Sequence, residues 1–191
     1  NANTSKENLS TQLMRVEAGW NLLSVPVNVA DGTKNVIFPT ASSRAFIHQN
    51  GYQPKDTLQN GFGFWIKFDS SETIFISGSA IFVDTIAVSV GWNMIGSISS
   101  PVAVGTIKTE PIGIIDSKYY SFVPGSGYQQ IETIQPGKGY WVKVKQSGII
   151  ILSSAGNHCP GTPAVEYAGK TYNTVQIGTQ CWLKENLDVG T

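Results

Sequence analysis

Apolar residues in this chain recur at every second position over short runs, the period of a pleated strand whose side chains alternate between two faces. Phe64, Ile66 and Phe68 alternate with Trp65 and Lys67, and Tyr140, Val142 and Val144 alternate with Trp141 and Lys143. Thr73 to Ser77 and Ile149 to Leu152 follow as the next strands. Asn50-Gly51, set between Ala45-Phe46-Ile47 and Tyr52, predicts a hairpin turn of the type I′ kind, and Pro124-Gly125-Ser126-Gly127 predicts its counterpart. Helical periodicity is scarce. The connections Asn28 to Ser43 and Ser99 to Ser117 hold Asp31-Gly32 and Pro39, then Pro101 and Pro111, and have room for one short helical turn each.

The strand pattern is used twice, and self-similarity of this kind marks a tandem structural unit. Gly19-Trp20-Asn21-Leu22-Leu23 returns 72 positions later as Gly91-Trp92-Asn93-Met94-Ile95. Gly51-Tyr52-Gln53 returns 76 positions on as Gly127-Tyr128-Gln129, and residues 58–68 return at the same offset as 134–144. Four extra loop residues in the second copy account for the change. The predicted organisation is an N-terminal extension at 1–11, β repeat 1 at 12–83, β repeat 2 at 84–154 and a C-terminal β segment at 155–191. The predicted class is all-β, with two related β-sandwich or barrel-like repeats in tandem plus a short disulfide-stapled β tail. Trp20/Trp92, Trp65/Trp141, Tyr52/Tyr128 and Phe46/Phe122 recur between copies. Such rings each bury on the order of 150 to 250 Å², so they are assigned to the repeat cores. Gly61-Phe62-Gly63 and Gly137-Lys138-Gly139 predict a tight turn or bulge ahead of each Trp strand.

Composition narrows the function classes. The chain of 191 residues is long enough for one large domain or two small ones. Lys+Arg and Asp+Glu are 13 each, and charged residues are 14% of the total, against roughly 25% in an ordinary soluble domain. That balance argues against tracking nucleic-acid phosphates. Hydrophobic residues at 41%, aromatics at 10% and 20 glycines favour a folded chain of strands and turns over a disordered one. No run reaches the ~18 apolar residues of a membrane helix; Ile74 to Val90 is interrupted by Ser77, Gly78, Ser79, Asp84 and Ser89. Residues 1–10 lack the basic and apolar regions of a signal peptide.

Cys159 and Cys181 are the only cysteines. Joined, they close a loop whose chain entropy is worth roughly 3 kcal/mol and imply an oxidising compartment. Free thiols are the second reading. A metal site from His158, Cys159 and Cys181 lacks the CxxC or HxxxH spacing of ligand sets, and no metal or cofactor is assigned.

Catalytic patterns are not found. His48 falls at a predicted hairpin tip, opposite Pro124 by the offset of 76, and reads as a surface residue. There is no Gly-x-Ser-x-Gly elbow, and Gly137-Lys138-Gly139 opens a strand rather than the helix that a phosphate loop requires. Asp56 and Glu132 are the matched carboxylates and read as a solvated strand edge. Phe62, Tyr119, Tyr120 and Trp182 have no counterpart and are freer to be exposed, which makes them the candidate ligand or partner aromatics.

The segments 19–26, 51–58 and 136–144, the last reading Pro-Gly-Lys-Gly-Tyr-Trp-Val-Lys-Val, resemble the tandem β repeats of secreted bacterial surface proteins over about three quarters of the chain. The resemblance implies an extracellular, bacterial cell-surface location and no catalytic residues; copy one departs from the pattern at Asn60 and Phe62. Residues 159–191, with Thr171-Tyr-Asn-Thr-Val-Gln-Ile-Gly178 and Cys181-Trp-Leu-Lys-Glu-Asn-Leu187, resemble the opening of the Fibrobacter succinogenes major paralogous domain, a module of exported proteins whose function is not established. That family continues beyond the point matching Thr191. About 33 residues bury little core alone, so this segment is expected to pack on the repeats, pair with another chain by strand addition, or belong to a longer polypeptide. The expected function is a non-catalytic extracellular structural or adhesion module that self-assembles through its terminal strands. The alternative is a carbohydrate-binding module of a secreted hydrolase. Candidate partners are copies of the chain itself and surface glycans, with no nucleic acid and no membrane span.

Overall fold

Strands form where the two-residue period places them. The computed structural model describes residues 9–154, 164–167, 169–177 and 180–183, and within them the chain is all-β. The first copy contains β1 (Leu9–Val16), β2 (Gly19–Leu23), β3 (Val27–Asn28), a one-turn helix α1 (Lys34–Ile37), β4 (Ala45–His48), β5 (Tyr52–Lys55), β6 (Phe64–Phe68) and β7 (Glu72–Ala80). The second contains β8 (Val83–Val88), β9 (Gly91–Ile95), β10 (Val102–Ala103), a 3-10 turn (Val104–Thr106), β11 (Lys108–Glu110), β12 (Tyr119–Val123), β13 (Gly127–Ile131), β14 (Thr133–Ile134), β15 (Tyr140–Val144) and β16 (Gly148–Ser153). The two short helical turns fall in the long connections. β1 starts inside the segment expected to be an extension, and it pairs along its whole length with β7.

Each copy is a small sandwich of antiparallel sheets. In the first, β1-β7-β3 packs on β2-β6-β4-β5; in the second, β8-β16-β11 packs on β9-β15-β12-β13. The inward residues of the period fill two separate cores. Leu23, Phe64, Ile66 and Phe68 meet Val16, Ile74 and Ile76 in the first, and Ile95, Val142 and Val144 meet Val88, Ile150 and Leu152 in the second. Apolar burial at roughly 25 cal/mol per Å² is the main stabilising term in both.

The repeated Gly-Trp-Asn motif is a turn device. Gly19 and Gly91 have φ of +94° and +99°, a region that L side chains rarely adopt. The following asparagine folds back to close the turn. Asn21 Nδ2 donates to Glu17 O at 2.8 Å while its Oδ1 accepts from Glu17 N at 3.1 Å, and Asn93 does the same with Ser89 at 2.7 and 2.9 Å.

Register corrects one sequence expectation. Phe46 pairs with Trp65 and Tyr120 with Trp141, while His48 pairs with Tyr52 and Phe122 with Tyr128. Phe46 therefore corresponds to Tyr120 and His48 to Phe122, not to Phe122 and Pro124. A constant offset of 76 fails because two of the extra residues lie before β12 and two more in its hairpin tip. In the first hairpin Asn50 and Gly51 both take positive φ, at 53° and 103°, as expected of that turn.

The two copies clamp each other. Gly139 N donates to Leu22 O at 3.0 Å and Gly63 N to Met94 O at 3.2 Å; Ser24 N donates to Gly137 O at 2.9 Å and Gly96 N to Gly61 O at 2.8 Å. Each Gly-x-Gly turn thus pairs with the other copy's Gly-Trp-Asn strand. The two glycines of the motif have different roles. Gly61 and Gly137 turn the chain with φ near +80°, whereas Gly63 and Gly139 permit close approach. A Cβ on Gly63 would sit 2.6 Å from Ile95 O, and one on Gly139 would sit 2.8 Å from Leu23 O.

The chain divides into two compact units, the repeats up to Ser153 and a tail from Ser154. The tail is a three-stranded antiparallel sheet in the order β17 (Ala164–Tyr167), β18 (Lys170–Ile177), β19 (Gln180–Leu183). Cys181 sits in β19, but Cys159 and His158 lie outside the described residues, and with them the expected bridge. No helix among the described residues is long and apolar enough to cross a membrane.

Candidate functional site

Residues that alternate with the cores point to the opposite face of each four-stranded sheet. From the first copy these are Trp20, Leu22, Phe46, His48 and Trp65; from the second, Trp92, Met94, Tyr120, Phe122 and Trp141. The two faces meet around Leu22, Met94 and Trp141, with Trp65, Tyr120 and Phe122 packed against that cluster. Two clefts remain beside this contact. The first, about 640 Å³, is lined by His48, Trp92, Tyr120, Tyr128 and Trp141. The second, about 490 Å³, is lined by Trp20, Phe46, Tyr52, Trp65 and Phe122.

Register makes the clefts counterparts. In each, a Trp from the Gly-Trp-Asn strand, a ring from the hairpin's first strand, a Tyr from its second strand and the Trp of the following strand come from one copy. The fifth residue, His48 or Phe122, comes from the other copy, so each cleft is completed across the repeat boundary. The rings meet edge to face, the arrangement their quadrupoles favour, except for the tilted Trp92–Tyr120 pair. Trp92 lies 6.2 Å from Tyr120 at 57° and 6.4 Å from Trp141 at 84°, and His48 lies 5.0 Å from Trp141. In the second cleft Trp20 lies 6.0 Å from Phe46, and Trp65 lies 4.8 Å from Phe122.

Among the described residues no carboxylate, amine or guanidinium lines either cleft. The first cleft holds the hydroxyls of Tyr120 and Tyr128; in the second, phenylalanines stand where Tyr120 and His48 stand in the first. Trp141 Nε1 is buried without a hydrogen-bond partner. The Tyr128 hydroxyl faces it: burial, then neighbouring Tyr52, push that phenol's pKa up, and the indole N–H pulls it down. The two groups do not meet hydrogen-bond geometry, so Trp141 Nε1 has no hydrogen-bond partner among the described residues.

The structure redistributes the sequence candidates. Trp20, Tyr52, Trp92 and Tyr128 are not core residues; they are 43% to 57% exposed. They sit on the outer face because they alternate with the core positions. Trp141, at 9% exposure, and half-buried Trp65 are covered by the contact between copies rather than by a repeat core. Tyr119, expected on the surface, is 4% exposed on the inner face of β12. Its hydroxyl has no partner, and burial pushes its pKa up to about 12. Phe62 packs half-buried on the first core and bridges to Ile95. Tyr120 lines the first cleft, and Trp182 is exposed on β19. His48 is half-buried in a cleft rather than a plain surface residue. Phe46 and Phe122 were missed as cleft residues, and the strand register is the signal that finds them.

No protein-family model, curated protein or solved structure matches this chain. The site is therefore read from its own chemistry. Among the described residues no group of three or more His, Cys, Asp or Glu is placed to hold a metal. Asp56 is held by Arg44 at 2.7 Å and Glu132 accepts from Gln130 at 3.0 Å, both away from the clefts. Ring faces and edges with a few donors suit reversible binding of an uncharged ligand.

Proposed function

We propose that this chain is a non-catalytic, extracellular binding module of a bacterial surface protein, and that it captures an uncharged partner in its twin aromatic clefts. The observation that carries this reading is the pair of corresponding five-ring clefts, each finished by a residue from the other repeat. The likeness of its motifs to surface-protein repeats supports the location. Glycan and peptide arrays probed with the full chain test it, alongside a Trp20→Ala/Trp92→Ala variant. Both side chains are exposed and outside the cores, so the variant is expected to fold and to lose the captured spots. Equal capture by variant and wild type overturns the reading, as does turnover of a captured ligand at an enzymatic rate. Glycan spots that vanish with Tyr120→Ala favour the carbohydrate-binding alternative.

A second reading rests on the tail. Among the described residues its outer strands β17 and β19 pair only with β18, and an edge strand is a template for strand addition. Filaments seen by electron microscopy for the full chain but not for residues 1–158 support self-assembly. Identical monomers in both samples remove it.

A further inference from the structure

We infer that the first cleft takes a proline-rich segment in the polyproline II conformation, with the hydroxyls of Tyr120 and Tyr128 donating to its carbonyl oxygens. This rests on the clefts being binding sites and adds the chemistry of the occupant.

Two observations point to it. The first is shape: Tyr120, Trp92 and Trp141 stand as successive walls at 57° and 84°, making two corners rather than a flat platform. A pyrrolidine ring fits its edge into such a corner, whereas a sugar ring stacks face-on against one exposed plane. The second is polarity. The cleft has no carboxylate, amide or guanidinium among its lining residues. An oligosaccharide carries several hydroxyls per ring, and those left without a partner cost free energy on burial. Proline has no N–H, so a proline-rich segment brings acceptors and C–H surface. The cleft answers with donors, namely the hydroxyls of Tyr120 and Tyr128.

The energetics agree, since polyproline II is largely formed before binding and little conformational entropy is lost. The second cleft has Phe46 and Phe122 at the places of Tyr120 and His48. It is the poorer host, so the two clefts differ in affinity.

Decaproline and cellohexaose are titrated into the full chain, with tryptophan fluorescence and calorimetry as readouts. Decaproline is expected to bind, and Trp92→Ala to weaken it at least 10-fold, as loss of a central ring does. Trp20→Ala in the second cleft leaves the tighter event unchanged. Tyr120→Phe and Tyr128→Phe each keep a ring, remove a hydroxyl and weaken binding about 3- to 10-fold. Decaproline binding that responds equally to Trp20→Ala and Trp92→Ala overturns the assignment to the first cleft. Cellohexaose binding without decaproline binding overturns the inference and leaves the binding-module reading standing. Silence of both probes together with blank arrays overturns both.

Discussion

Gly63→Ala tests the reciprocal clamp at its tightest point. The added methyl lies 2.6 Å from Ile95 O and 2.9 Å from Met94 Cγ, and the first neighbour is backbone, which cannot swing aside. The Gly63 N–Met94 O bond and the Phe62–Ile95 bridge both depend on that approach. Forcing extra volume into a packed contact costs typically about 1–3 kcal/mol, which for a domain of this size lowers the melting temperature by about 2 to 12 °C. Gly105→Ala is the control: its φ is ordinary and a Cβ there meets nothing within 4 Å, so the melt should stay within about 0.5 kcal/mol of wild type. Circular dichroism melts measure both, and near-UV spectra report the cleft tryptophans. If Gly63→Ala melts with Gly105→Ala and keeps the wild-type near-UV spectrum, the two copies do not approach as closely as argued, and the cleft geometry falls with them.

Two buried phenols should respond oppositely to loss of their hydroxyls. Tyr140 Oη accepts from Gln135 N at 2.6 Å, so Tyr140→Phe costs about 1–3 kcal/mol in urea unfolding, whereas partnerless Tyr119→Phe is neutral or stabilising; equal losses refute the assignment. Burial pushes both phenols up to about 12 from 10.0. The folded state keeps these protons longer than the unfolded chain, so their contribution is intact below pH 10 and is lost as pH rises through about 12. Absorbance titration should show the last of the seven tyrosines ionising together with unfolding; one wave near pH 10 contradicts this. Burial likewise raises Asp84 above 3.8, against a smaller lowering by the Thr85 backbone N–H, and its Oδ2 has no partner. Its contribution is present below pH 3.8 and is lost as pH rises through the folded-state value. Asp84→Asn should therefore raise the melting temperature at pH 7 and have no effect near pH 3; the reverse order sinks the argument.

The all-β class and the short helical turns were legible because each follows from local period and turn chemistry. The burial of the repeated rings was misread, although the alternation contained the answer. Trp65 stands between Phe64 and Ile66 and so faces away from them, whereas repetition alone points to core. Repetition reflected a shared surface instead, since both copies line a cleft and pack on each other. The role of Gly63 was hidden because the atom it avoids, Ile95 O, belongs to the other copy. The correspondence of His48 to Phe122 was hidden because insertions in two loops cannot be located from a single offset. Tyr119 was misplaced by one position of the pleat, which moves a side chain through the sheet.

The interlocking glycine turns bear on how such a chain arises. A single unit on its own would expose an unmatched turn, an unmatched strand end and four fifths of a cleft. Two separate units could satisfy one another about a two-fold axis, as isologous dimers do. Joining them in one polypeptide replaces dilute encounter with a high effective concentration. It also frees the halves to diverge, and the tyrosine and histidine found in only one cleft are what such divergence leaves behind.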